Sequence, residues 1–161
     1  MTDTPRAKEA PESTHPDAAA HTGLPIKVVL VVRAGLPINL TTNAAAVLAA
    51  TIGARLALPL GPHAHDASGT GFPGIVTTPM PILVTDADEL TELFHKARGD
   101  GRVQVAALTE VARQARSYER YLSDLARTPD AERDLVALCI AGPRNRVARL
   151  TKRLRLLGED G

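Results

Sequence analysis

The chain has one cysteine, Cys139, no tryptophan, and only two phenylalanines and two tyrosines. A single cysteine excludes an internal disulfide framework and a cysteine metal cluster, and it is typical of a reducing compartment such as the cytoplasm. The scarcity of aromatic residues excludes the stacking of single-stranded bases on aromatic side chains as the main mode of binding. Because Cys139 lies inside the apolar run "DLVALCIAGP", we predict that its thiol is buried and inert.

Long apolar runs and an excess of one charge are also lacking. No run reaches the roughly 18 to 20 apolar residues that span a bilayer, and the first residues lack the pattern of a secretory signal. There are 19 Lys plus Arg against 18 Asp plus Glu, so no global field favours nucleic acid or an anionic membrane. We expect a soluble cytoplasmic protein that has no membrane partner.

The 161 residues suffice for one domain with a real core. Residues 1–23 are rich in proline, alanine, threonine and charge, which predicts a disordered tail, and 24–158 are predicted to form a single domain. Near-continuous or short apolar runs predict four strands: Ile26–Val32, Ile82–Thr85, Val103–Leu108 and 134–143. Helical patterns lie between and after these runs. This alternation predicts an α/β fold with a mostly parallel sheet that is covered on both faces.

The helical patterns carry start and stop signals. Thr41, Thr42 or Asn43 is predicted to cap an alanine-rich helix, and Asp86 is predicted to cap the next. The segments 109–129 and 144–158 each predict one amphipathic helix.

Two motifs in the loop before Ile82 suggest chemistry. "GTGFPG" has the spelling of a dinucleotide fingerprint, but no strand precedes it and no helix follows it, so we predict a tight or flexible loop and no cofactor. "HAHD" brings together His63, His65 and Asp66. Without a third or fourth ligand this is not a metal site, and the alternatives are a polar surface loop or a general acid/base pair, His65 and Asp66.

The carboxyl end of the first strand is where an open α/β sheet tends to bind ligands. Polar side chains at and after that end are predicted to line a crevice: Arg33, Asn39, Thr41, Thr42 and Asn43. The alternative is that these side chains only satisfy the turn and cap the helix.

The last predicted helix carries basic residues and no acid before Glu159. Arg146, Arg149 and Arg153 are predicted to share one face, where they would contact the phosphates of RNA. The alternative is an ordinary solvated face.

Three segments together resemble a known family: "KVVLVVRAGLPINLTTNAAAVLAATIGA", "YERYLSDLA" and "ALCIAGPRNRVARLTKRLRLL". They are similar to domain-of-unknown-function family 2000, over about Leu24 to Gly158. The resemblance implies a fold like that of the type II peptidyl-tRNA hydrolases of archaea and eukaryotes. That fold is a three-layer α/β/α sandwich with a four-stranded mixed sheet whose last strand is antiparallel, and the resemblance also implies a homodimer.

The catalytic residues of those hydrolases do not carry over. Their turn after the first strand is rich in lysine and glycine, whereas residues 37–42 contain no lysine. Ala46 and Ala49 stand about where the hydrolases have glutamine and histidine, and "TPDAERD" replaces their segment before the last strand. The resemblance therefore implies the scaffold without the hydrolase catalytic set.

Three hypotheses follow for function. The first is a domain that binds a small polar or anionic ligand at the crevice after the first strand. The second is an enzyme that hydrolyses an ester or amide linked to a nucleotide or tRNA, with His65 or Asp66 as the base. The third is a structural dimer component that uses the small-residue helix as its interface.

Overall fold

The computed structural model describes residues 25–159, so the tail predicted over 1–23 lies outside the described residues. The strands are β1 (Ile26–Arg33), β2 (Ala64–His65), β3 (Gly71–Phe72), β4 (Ile82–Thr85), β5 (Gln104–Thr109), β6 (Leu135–Pro143) and β7 (Arg155–Leu156). The helices are α1 (Ile38–Leu56), α2 (Ala87–Gly99), α3 (Glu110–Gln114), α4 (Tyr118–Leu125) and α5 (Arg144–Thr151). A 3₁₀ turn lies at Asp130–Glu132.

The main sheet has five strands in the order β5-β6-β1-β4-β7, and β2 and β3 form a separate hairpin. Of the four adjacent strand pairs of this sheet within residues 25–159, only β1 and β4 are parallel; the other three pairs are antiparallel. The prediction of a mostly parallel sheet is therefore wrong, whereas the mixed sheet that the resemblance implied is confirmed. The four predicted strands are present as β1, β4, β5 and β6, but the predicted count of four is not confirmed, because β7 adds a fifth strand. The direction of β6 depends on contacts with strands far away in the chain, which local hydrophobic patterns do not record.

Helices cover both faces of the sheet. One core lies between the sheet and α1, and it includes Val28, Leu30, Leu48 and Ile52. The other core lies between the sheet and the pair α2 and α5. β1 and β6 are almost wholly buried, which explains their near-continuous apolar runs.

Cys139 lies inside β6, and its burial raises the pKa of the thiol to about 12. A thiol with this pKa stays protonated at neutral pH. The prediction of an inert core cysteine is confirmed.

The two predicted helix starts have different outcomes. Asp86 caps α2 as predicted, since its carboxylate accepts a hydrogen bond from the Glu89 amide at 2.8 Å. α1, in contrast, begins right after Pro37, so the capping role predicted for Thr41, Thr42 or Asn43 is wrong. The fixed φ of proline suits the start of a helix, and both threonine hydroxyls donate instead to carbonyls one turn earlier.

No helix within residues 25–159 has the length and apolar character needed to cross a membrane.

Two predicted helices are shorter than their sequence pattern. The 109–129 segment divides into α3 and α4 because Ala115 is extended and Ser117 caps a new helix through the Arg120 amide. α5 ends at Thr151, since the chain then turns and pairs with β4 as β7. The free hydrogen-bonding edge of β4 thereby gains a partner, which outweighs the helical propensity of the last leucines and arginines.

Candidate functional site

A small cleft lies where the two parallel strands end. The Ala34 amide donates to the Thr85 carbonyl at 2.7 Å, so the ends of β1 and β4 are held together. The cleft has a volume of about 240 Å³. We call it the edge cleft. Its lining residues are Ala34, Val84, Thr85, Asp86, Glu89, Arg153, Leu154 and Arg155. The turn after α5 forms one wall, and the start of α2 forms the other.

The charged side chains of the edge cleft differ in whether they already have hydrogen-bond or ion-pair partners within the protein. The Asp86 carboxylate caps α2, and the Glu89 carboxylate accepts a hydrogen bond from the buried Thr85 hydroxyl. Arg153 and Arg155 have no carboxylate within 4 Å among residues 25–159. The cleft therefore presents two acids that are already fixed and two arginines that remain available to an anion.

An ion-pair cluster lies beside this cleft on the β6 side. Arg33 bonds the Asp134 carboxylate, and the Glu110 amide donates to the Asp134 carbonyl at 2.9 Å. Glu110 accepts hydrogen bonds from Arg113 and Gln114, and these, with the charges of Arg113 and Arg33, lower its pKa to about 2. A carboxylate with this pKa is ionised at neutral pH and is a poor general acid or base.

The residues predicted to line a crevice differ in their burial and in their hydrogen bonds. Arg33 stands at the end of β1 as expected. Asn39, Thr42 and Asn43 lie exposed on α1, and Thr41 is buried with its hydroxyl on the Pro37 carbonyl. Within residues 25–159 no hydrogen bond joins any of these four α1 side chains to Arg33.

The predicted catalytic pair lies on the β2-β3 hairpin, which is exposed throughout. The Asp66 carboxylate accepts hydrogen bonds from the Ser68 and Thr70 amides at 2.8 and 2.9 Å, and these bonds, led by the one from Thr70, lower its pKa. Gly69 has a φ of +85°, so the turn requires a glycine. Asp66 thus closes the hairpin turn, and His65 lies over Gly71, 3.5 Å from the position a Cβ would take there.

Among the described residues, the fold brings no further metal ligand to the His63, His65 and Asp66 side chains of this hairpin. Among the residues that the structure describes, no three His, Cys, Asp or Glu side chains gather as metal ligands. The "GTGFPG" motif forms the end of the hairpin and the chain after it. Gly74 lies against Gly61, whose carbonyl oxygen would be 1.7 Å from a Cβ, so this glycine serves close backbone approach.

The three basic residues predicted to share a face do not all do so. Arg146 and Arg149 lie on α5 and line one depression together with the loop after α2. Arg153 follows the end of α5 and lines the edge cleft instead. The prediction that Arg153 shares a helix face with Arg146 and Arg149 is wrong, because α5 ends at Thr151.

Sequence reasoning missed several residues of this region: Thr85, Glu89, Glu110, Asp134 and Arg155. A signal existed for Thr85, since it ends a predicted strand just as Arg33 does. Asp134 is 101 residues from Arg33, and no local pattern links them. Arg155 reaches the cleft only because the chain forms β7.

Comparisons with known proteins agree with this fold. A solved structure of a protein of unknown function, Atu0240 from Agrobacterium tumefaciens strain C58, is similar with a TM-score of 0.75 at 16% identity. The similarity covers 83% of this chain and 98% of that chain, and at this identity it shows the fold alone. No curated protein matches the chain significantly. A family model described as "Protein of unknown function (DUF2000)" matches residues 26–158, and the chain therefore belongs to the DUF2000 family.

Proposed function

We propose that this domain binds a small polar or anionic ligand in the edge cleft. The observation that carries the proposal is the position of Arg153 and Arg155 beside the carboxyl ends of the two parallel strands. Ligands of open α/β sheets bind outside those ends, and arginine matches the geometry of carboxylates and phosphates. The proposal keeps the predicted edge of the sheet, but it replaces Asn39, Thr41, Thr42 and Asn43 with Thr85, Arg153 and Arg155.

The size and charge of the cleft define the ligand class. Its volume of about 240 Å³ is below the range of roughly 300–1,000 Å³ common for drug-sized ligands, so the ligand is small. Two arginines suit a carboxylate or a similar anion. Glu89 and Asp86 suit hydrogen-bond donors, such as hydroxyl or amino groups, on the rest of the ligand. Hydroxy acids and amino acids combine these features.

A thermal-shift screen of hydroxy acids and amino acids tests this proposal. A ligand that binds only the folded state raises the melting temperature, with about 2.7 kcal/mol of stabilisation at a concentration 100 times the Kd. For a ligand found in this way, we expect Arg153→Gln to raise the Kd by about tenfold or more, because a charge-assisted hydrogen bond is lost. Isothermal titration calorimetry measures that change.

Lys152→Gln is the matched control. It also removes one positive charge, and it lies next to Arg153, but Lys152 is exposed and does not line the cleft. The Kd of this variant should stay within about twofold of the wild type, as expected for an exposed charge that does not line the cleft. Equal weakening in both variants, or no stabilising ligand in the panel, would contradict binding at the edge cleft.

Hydrolysis of an ester or amide linked to a nucleotide or tRNA is the alternative function. The low pKa of Asp66 makes its carboxylate a weak base, which counts against this alternative. Asp66→Asn tests catalysis without breaking the turn. One oxygen of the Asp66 carboxylate accepts hydrogen bonds from both the Ser68 and the Thr70 amides, and asparagine retains such an oxygen. If Asp66 is the base, cleavage of aminoacyl-RNA should fall about 100-fold or more in this variant. Binding in the edge cleft should not change.

We further propose the finer fold assignment and the assembly that the family resemblance implies. Helices on both faces of a mixed sheet support the peptidyl-tRNA hydrolase II-like sandwich, with β7 as a short addition at the sheet edge. Exposed Ile38 and Val47 on α1, beside its small residues, support a homodimer. A mass of 17.0 kDa by light scattering would contradict the dimer. The single buried thiol is consistent with the cytoplasm as location.

A further inference from the structure

A second depression lies at the other end of α2, separate from the edge cleft. It has a volume of about 560 Å³ and lies between the end of α2, the loop that follows it and α5. We call it the basic basin. Its charged lining residues are Lys96, Asp100, Arg102, Arg146 and Arg149. Leu150 and two glycines complete the lining.

The basin has an excess of positive charge. Four cationic side chains face a single carboxylate in the lining. Lys96 pairs with Glu92, and Arg146 pairs with Asp100. Among residues 25–159, Arg102 and Arg149 have no carboxylate within 4 Å. A concave surface with an excess of one sign of charge concentrates counter-ions, so the basin attracts anions.

The position of the basin at the end of α2 slightly opposes this attraction. The carbonyl end of a helix carries about half a negative charge, and the effect is confined to the last turn. Two unpaired arginines carry two full positive charges, so the formal charges outweigh the helix dipole. The sign of the local field remains positive.

Part of the basin is held in place before any ligand arrives. The Asp100 carboxylate accepts hydrogen bonds from the Arg102 amide at 3.2 Å and from the Arg146 guanidinium at 3.0 Å. Arg146 is two-thirds buried, which restricts its side chain. Gly99 and Gly101 leave the space above the loop open, because a Cβ at either position would meet nothing within 4 Å.

We propose that the basic basin binds a phosphate group through Arg102, Arg146 and Arg149. The guanidinium fork matches two phosphate oxygens. The Asp100 carboxylate accepts a hydrogen bond from the Arg146 guanidinium, and the remaining guanidinium N–H groups of the basin can donate to phosphate oxygens. A phosphate monoester on a small molecule and the phosphodiester backbone of RNA both present negatively charged phosphate oxygens to such a site. The site is independent of the edge cleft, since the two share no residue.

The test is a titration of the ¹⁵N-labelled full chain with inorganic phosphate and then with uridine 5′-monophosphate. We expect saturable shifts of the Gly99, Gly101 and Arg102 amides. Arg149→Gln should raise the Kd by about fivefold or more, because one phosphate contact is removed. Lys152→Gln, which removes one charge outside the basin, should change the Kd by less than about twofold.

A uridine octamer without terminal phosphates distinguishes the two sources. Binding of the octamer that is more than about tenfold tighter than that of the monophosphate, with a steep loss in salt, would assign the basin to the RNA backbone. Equal or weaker octamer binding would assign it to a phosphate monoester. The proposal is overturned if neither probe produces saturable shifts at the basin, or if both variants weaken binding equally.

Discussion

Leu138→Ala is expected to lower the free energy of unfolding by about 2–5 kcal/mol. Leu138 lies in the middle of β6, fully buried in the core that α2 and α5 cover. Alanine removes three carbons and leaves a cavity between the sheet and the helices α2 and α5. Strands pair with β6 on both sides, so the surroundings cannot collapse freely. Urea-induced unfolding followed by circular dichroism measures the loss, as a fall of the midpoint at constant slope.

Leu122→Ala is the control for this prediction. Leu122 lies on α4 and is 52% exposed, so the same change of side chain should cost less than about 1 kcal/mol. A similar loss in both variants would show that β6 is not the centre of the core. The result bears on function as well, because β6 positions Asp134 against Arg33 at the edge where the proposed ligand binds.

Local signals in the sequence predicted some elements correctly and were missed at others. The Ile82–Thr85 strand and the Asp86 cap of α2 were predicted correctly, since an apolar run and an acid before a helix act within a few residues. The division at Ser117 was also readable, as a serine cap within a long amphipathic pattern. Amphipathic periodicity continues across such a break, and for this reason the prediction joined α3 and α4.

The errors of the pattern-based prediction in the sheet and in the last helix have a common physical cause, which is pairing between distant segments. β7 forms because β4 offers an unpaired edge, and β4 lies about 70 residues earlier in the chain. The direction of β6 depends likewise on β1 and β5. The edge cleft requires all of these pairings. Its general location after the first strand was therefore predictable, whereas Arg153 and Arg155 as its cations were not.

Glu110→Gln is expected to destabilise the domain by about 1–2 kcal/mol at pH 7, and the loss should disappear in acid. Folding lowers the pKa of Glu110 from 4.5 to about 2, through hydrogen bonds from Arg113 and Gln114. The folded state therefore binds the Glu110 proton more weakly than the unfolded state does. The stabilisation is complete above pH 4.5, and it is lost as the pH falls toward 2. Urea unfolding at pH 7, 4.5, 3.5 and 2 measures the difference in stability between the wild type and the variant.

Glu132→Gln is the control, because Glu132 is exposed and forms no ion pair within residues 25–159. Its effect on stability should be within about 0.5 kcal/mol at each pH. A Glu110→Gln loss that is constant between pH 7 and 3.5 would contradict the role of the ionised carboxylate. If the loss instead disappears in acid, Glu110 is an anion throughout the neutral range. It then serves to hold Arg113 and Arg33 in place at the strand ends, and it cannot supply the proton that a hydrolase at this edge would need.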